Sequence, residues 1–159
     1  RSSTEDDIDI SNMPYTFPMS CGLSTYGVPL VGITKGEQLF MFVADSGCDQ
    51  SLMTKYAVEN GCMNYQYTSV SGTTEDSYNA FNINVARVKH QLASYDSEKQ
   101  EFKTIESDSS FGVLADRDCL RESTDKSTPP ISGLLSAGYM LEHKWILDFK
   151  RQIIYAKAA

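Results

Sequence analysis

Asp45, Ser46 and Gly47 follow directly on an apolar run, in the stretch LFMFVADSGCDQSLMT from Leu39 to Thr54. A carboxylate at the end of a buried strand needs partners, because burying an isolated charge costs far more than one side-chain hydrogen bond returns. Two readings are open. Asp, Ser and Gly are all turn residues, and the tripeptide can simply cap a strand. Alternatively, the acid does chemistry. Two carboxylates held about 3 Å apart cannot both ionise, so they share a proton; one acts as base towards a water while the other donates to a substrate carbonyl. Such a pair hydrolyses a peptide bond without a metal. Gly47 has no Cβ to keep two such loops apart, and the Ser46 hydroxyl can hydrogen-bond across to the neighbouring loop.

The other reactive side chains form weaker patterns. Cys21, Cys48, Cys62 and Cys119 are scattered with no Cys-x-x-Cys pair, and His90 and His143 are the two histidines. A zinc site of the usual spacing is not expected, nor is any cofactor. A thiol hydrolase built from Cys48 with His90 or His143 is conceivable, but each histidine reads more simply as a surface or packed residue. Two disulfides are open if the compartment is oxidising, while Cys48, beside the acid, reads as a small buried thiol.

These residues must be positioned by a chain of 159 residues, enough for one domain with a real core and too few for two sizeable lobes. Hydrophobic content of 41% and charged content of 22% are ordinary for a globular protein, and no apolar run approaches the roughly 20 residues of a bilayer span. A net charge of −7 without a Lys/Arg cluster argues against a nucleic-acid partner. The start at Arg1 reads as a trimmed or mature form, which leaves the compartment open.

The acidic first dozen residues suggest a flexible leader over 1–14 and a single domain over 15–159. PLVGI and QLFMFVA, about the turn TKGE, predict a hairpin whose second strand points at Asp45. SLMTKYAVENG predicts a short helix with Ser51 as N-cap and Gly61 at C′. Tyr65 to Val88 alternates as a second hairpin that breaks at the polar tip SGTTED, and Ser69–Ser77 is expected to be a mobile flap. EFKTI and FGVLA read as strand pieces separated by charged turns. A short apolar strand, a helix from about Ser136 to His143 and a closing hairpin, WILDF and QIIYA, complete a mainly β domain.

Two segments in this order resemble the retropepsin-like aspartic protease family (clan AA). Asp45-Ser46-Gly47 with Ser51 is similar to the family's Asp-Thr/Ser-Gly-Ala-x-x-Ser/Thr signature, with Cys48 at the small Ala position. Gly133-Leu134-Leu135 leading into a helix, then Trp145 to Phe149 and Ile153-Ile154-Tyr155, is similar to its closing Gly-Leu-Leu, helix and Ile-Asp-Phe segment. The resemblance frames most of Pro29 to Tyr155 and departs at Ser136, where Gly is common, at Gly138, where Asp or Asn often follows, and in a flap with one glycine. It implies a closed β-barrel with one or two short helices and an aspartic endopeptidase activity. Asp45, Ser46 and Gly47 would be catalytic. Asp49, Ser71, Gly72, Thr73 and Leu135 would meet the substrate, and Ser51, Gly133 and Leu134 would support the active loop. The motif occurs once, so the second carboxylate must come from a second chain. The implied partners are a homodimer mate and an extended peptide or unfolded protein. The competing expectation is a catalytically silent dimerisation or peptide-binding module on the same fold.

Overall fold

The computed structural model describes residues 9–18, 29–73, 80–96, 99–115 and 131–157, with 69–73 and 80–83 described as backbone. In chain order the elements are β1 (Tyr15–Pro18), β2 (Leu30–Lys35), β3 (Gln38–Asp45), β4 (Leu52–Thr54), α1 (Lys55–Gly61), β5 (Asn64–Thr73) and β6 (Ala80–Asp96). They continue as β7 (Glu101–Leu114), β8 (Ile131–Ser136), α2 (Ala137–Glu142), β9 (Ile146–Asp148) and β10 (Ile153–Ala156). Six strands, in the order β2-β3-β8-β4-β7-β6, close into a barrel because β6 also pairs β2 through Ile33↔Leu92. The chain is therefore mainly β with two short helices, as expected. β1, β10 and β9 extend the sheet from β6, and β5 pairs β6 on its own. Among the described residues no helix is long and apolar enough to cross a membrane. Residues 1–8 of the expected leader lie outside the described residues, and Met13 is already buried.

The core is filled by Phe17, Ile33, Phe42, Met53, Leu92, Phe111, Leu135 and Ile154, all essentially inaccessible. Each such side chain contributes roughly 1.5–3 kcal/mol by leaving water. The β2–β3 hairpin turns at Gly36 and Glu37, with Gly36 at φ 60°. Alternation explains why β7 is one strand rather than two. Across the polar stretch ESDSS the exposed Glu106, Asp108 and Ser110 alternate with the buried Ser107 and Ser109, so the period of two never breaks. Polarity there marks one face of a strand, and the expected charged turn is absent.

The first helix also differs from expectation. Leu52–Thr54 form a strand paired to β7 and β8, so α1 starts later and its N-cap is Thr54, whose hydroxyl accepts the Ala57 N–H at 3.2 Å. Gly61 is the last helical residue and not a left-handed C′. A Cβ there would lie 2.9 Å from the Phe40 ring, so the glycine serves close packing. The left-handed C′ position occurs instead after α2, at Lys144 with φ 56°. Lys144 N–H bonds the Leu141 carbonyl and Trp145 N–H the Met140 carbonyl, the paired bonds of a Schellman stop.

Two substitutions test these constraints in opposite directions. Gly133→Ala would place a Cβ 2.0 Å from the Leu52 carbonyl oxygen and 2.5 Å from the Phe42 ring. Urea unfolding should find it destabilised by at least about 3 kcal/mol, at the extreme of single-site effects. Lys144→Gly should gain about 1 kcal/mol by relieving a left-handed non-glycine residue.

Candidate active site

β3 carries Asp45 to the rim of the barrel. Val43, Ala44 and Asp45 run parallel to Leu134, Leu135 and Ser136, while Leu52 and Met53 run antiparallel to Leu134 and Gly133. β8 therefore passes between the strand that enters the Asp45 loop and the strand that leaves it. Only a residue without a side chain fits at Gly133, where the two backbones meet. Gly133 and Leu134 of β8, and Ser51 at the end of the loop, lie beside the segment that carries Asp45.

Main-chain bonds pin the loop from several sides. Ala44 N–H reaches Pro29 O at 3.0 Å, Cys48 N–H reaches Asp45 O at 3.1 Å, Ala137 N–H reaches Cys48 O at 3.2 Å and Gly112 N–H reaches Ser51 O at 2.8 Å. A pair of buried hydroxyls adds to them. Ser51 Oγ donates to Ser136 Oγ at 3.0 Å and accepts the Ser136 N–H at 3.0 Å, while Ser136 Oγ accepts the Tyr139 N–H at 3.2 Å as N-cap of α2. The hydroxyl of Ser136, at the family's usual glycine position, thus ties the loop to the helix. Ser51 has no role as the N-cap of α1 because its oxygen is committed here.

The Asp45 carboxylate is partly exposed. Its Oδ1 accepts the Gly47 N–H at 2.9 Å, and a Cβ on Gly47 would sit 3.3 Å from that oxygen. Oδ2 makes no hydrogen bond to another described residue, which leaves it open to solvent or to a reacting group. Ser46, Gly47 and Asp49 are exposed at the same rim. Leu135 is fully buried in the core, so it packs the barrel and offers no surface to a peptide.

No protein-family model matches the chain, and no curated protein matches it.

The hairpin expected to be a flap is formed by β5 and β6, and its tip, 74–79, lies outside the described residues. β6 pairs β7 from Asp96 down to Val85, opposite Gly112, and then pairs β5 alone through Ser69↔Asn84, Val70↔Ile83, Ser71↔Asn82, Gly72↔Phe81 and Thr73↔Ala80. Gly112 also pairs Leu52, the first residue of β4 after the loop. The arm that bears Ser71, Gly72 and Thr73 therefore leaves the barrel at the end that carries Asp45.

The thiol alternative finds no partner. Cys48 Sγ donates to the Gln50 carbonyl at 2.9 Å, and both histidines are engaged elsewhere. Cys62 is buried, and burial pushes its thiol up to about 12, which leaves it inert. Both Cys48 and Cys62 are free; Cys21 and Cys119 lie outside the described residues. Among the described residues no three His, Cys, Asp or Glu side chains are placed to hold a metal ion.

One polar cluster escapes sequence reasoning because its members lie far apart in the chain. His90 Nε2 accepts the Tyr139 O–H at 2.8 Å, and the other ring nitrogen faces Val88 O at 3.3 Å. His143 Nδ1 lies 2.8 Å from Tyr139 O and its Nε2 bonds Ser107 Oγ. The cluster anchors α2, and through Ser136 the loop, onto β6 and β7. Burial pushes His90 down to about 4; His143 acts in the same direction, against the Val88 carbonyl and Asp108.

Between the ordinary imidazole range near 6.5 and about 4, unfolded His90 is protonated and folded His90 is neutral. Its contribution to stability is full above about 6.5, is lost as the pH falls towards about 4, and changes no further below that. The loss is ~3 kcal/mol. His90→Gln, whose amide oxygen can still accept from Tyr139, should flatten this part of the curve when urea unfolding is compared at pH 7, 5.5 and 4.

Proposed function

We propose that the chain is one subunit of an aspartic endopeptidase that works as a homodimer on extended peptides or unfolded proteins. The observation that carries this reading is the threading of β8 between β3 and β4, which fixes Asp45 at an open rim with one carboxylate oxygen free. A turn cap alone needs no such elaborate support. Ser46 and Gly47 remain exposed beside it, where a second loop can approach, and the β5–β6 arm leaves the barrel at the same end.

In this reading two Asp45 side chains meet on a two-fold axis and share one proton. One carboxylate takes a proton from the attacking water while the protonated partner donates to the scissile carbonyl, and the tetrahedral intermediate then collapses with proton return to the leaving amine. Ser46 on each subunit holds the facing loop, and Asp49, Ser71, Gly72 and Thr73 engage the peptide backbone. The Ser51–Ser136 pair keeps the carboxylate from drifting, since small misplacements are costly in catalysis.

A second reading draws on the Gly47 N–H bond to Asp45 Oδ1, the local bond of an Asx-turn. There Asp45 is a loop cap, and the fold serves as a silent dimerisation or peptide-binding module. A peptide-library digest separates the two. Cleavage should peak at mildly acidic pH and fall on dilution of the dimer. Asp45→Asn should lose at least about a thousandfold in turnover with the fold retained, whereas Cys48→Ala should stay active. A verified dimer that cleaves nothing from acidic to neutral pH would leave the binding module in its place.

A further inference from the structure

Away from the Asp45 rim, α2 and β7 bring together a serine and a histidine that the proposed peptidase does not use. The hydrogen-bond partners settle where the protons are. His143 Nδ1 faces the Tyr139 carbonyl, which can only accept, so that nitrogen carries the proton and Nε2 is a bare acceptor. Ser107 Oγ–H therefore donates to His143 Nε2. His90 is fixed in the same way: its Nδ1 faces the Val88 carbonyl, so its Nε2 takes the single Tyr139 hydroxyl proton at 2.8 Å. Tyr139 Oη lies 3.5 Å from Ser107 Oγ, but its proton is committed to His90, and burial pushes the phenol up so that it stays protonated. Ser107 thus has its proton on a base and its lone pairs unclaimed.

The pair opens on a cavity of about 510 Å³ lined by Ser107, His143, Glu142, Lys89, Lys144 and Lys157, among others. Its charges balance. The lining acids Glu106 and Asp108 are already matched by Lys89 at 3.6 Å and by Arg87 at 3.0 Å. The three lysines of the lining, Lys89, Lys144 and Lys157, face three acids, Glu106, Asp108 and Glu142, and Lys157 also acts on the Asp9 carboxylate. Ser107 is only 6% exposed, and the cavity is its access.

We propose that Ser107 and His143 form a nucleophilic site, separate from Asp45, that takes small carboxylic esters. Ser107 Oγ forms a bond to the acyl carbon as its proton passes to His143 Nε2. The ester C–O bond breaks, and the leaving alkoxide departs with that proton as the alcohol. Water then attacks the acyl-serine, returns a proton through His143, and releases the acid. The Tyr139 carbonyl holds the imidazole in its tautomer and steadies the imidazolium, the role an acid plays in better known triads.

A fluorophosphonate probe tests this on the full chain. Phosphonylation should map by tandem mass spectrometry to Ser107, with loss of fluoride, and should be slowed by 4-nitrophenyl acetate. It should vanish in urea, be absent in Ser107→Ala, and fall by about a hundredfold in His143→Gln. Asp45→Asn should label at the wild-type rate, which separates this site from the peptidase reading. No labelling of the folded wild type, labelling spread over other serines, or labelling that persists in urea overturns the proposal whatever the variants do. So does a folded His143→Gln that reacts as fast as wild type.

Discussion

One close approach organises the molecule: the backbone of β8 crosses that of β4 at Gly133 and Leu52, at a distance that no side chain on Gly133 would permit. Because β8 must pass there, β3 and β4 are held apart by one strand, and the six residues from Ser46 to Ser51 have to bridge the gap as a loop. The loop is a consequence of the threading. Its ends are set by sheet registers on both sides, so its conformation is determined by the barrel more than by its own turn residues.

The buried hydroxyls carry that rigidity one layer further. In a water-free setting a hydroxyl with partners rigidifies and one without partners destabilises. Ser51 and Ser136 satisfy each other and the first turn of α2, so loop and helix move as a unit. Tyr139 in the first turn of α2 and His143 at its end fasten the helix to β6 and β7 through His90 and Ser107. The contrast is Ser109, two residues along the same face of β7, whose buried hydroxyl has no partner among the described residues. The placement of partners, not the serine content, decides which parts of this wall are stiff.

The legible parts of the fold were those with local causes. The switch from apolar to polar at Ala44 and Asp45 marks the strand end wherever the strand sits in space, and the alternation in Tyr65–Val88 marks a hairpin. The Ser51 cap failed because two residues three apart, Ser51 and Thr54, both suit a cap; what chooses between them is a bond to Ser136, 85 residues away. The stretch ESDSS was opaque because serine is neutral between turn and strand until its face is known. Lys144 carries no signal for a left-handed residue, and the pairing of His143 with Ser107 depends on how α2 docks. The resemblance to retropepsin-like proteases ordered the segments around Asp45, yet it placed Leu135 against a peptide, where its side chain fills the core.

β6 belongs to two structures at once, a barrel stave from Val85 to Asp96 and half of a projecting ribbon beyond it. Mechanically this is a cantilever clamped at the rung Val85↔Gly112. Gly112 is also the residue whose N–H grips the Ser51 carbonyl. The rung that ends the stave is thus one hydrogen bond from the loop that holds Asp45, so a single residue, Gly112, is shared by the footing of the ribbon and the footing of the carboxylate.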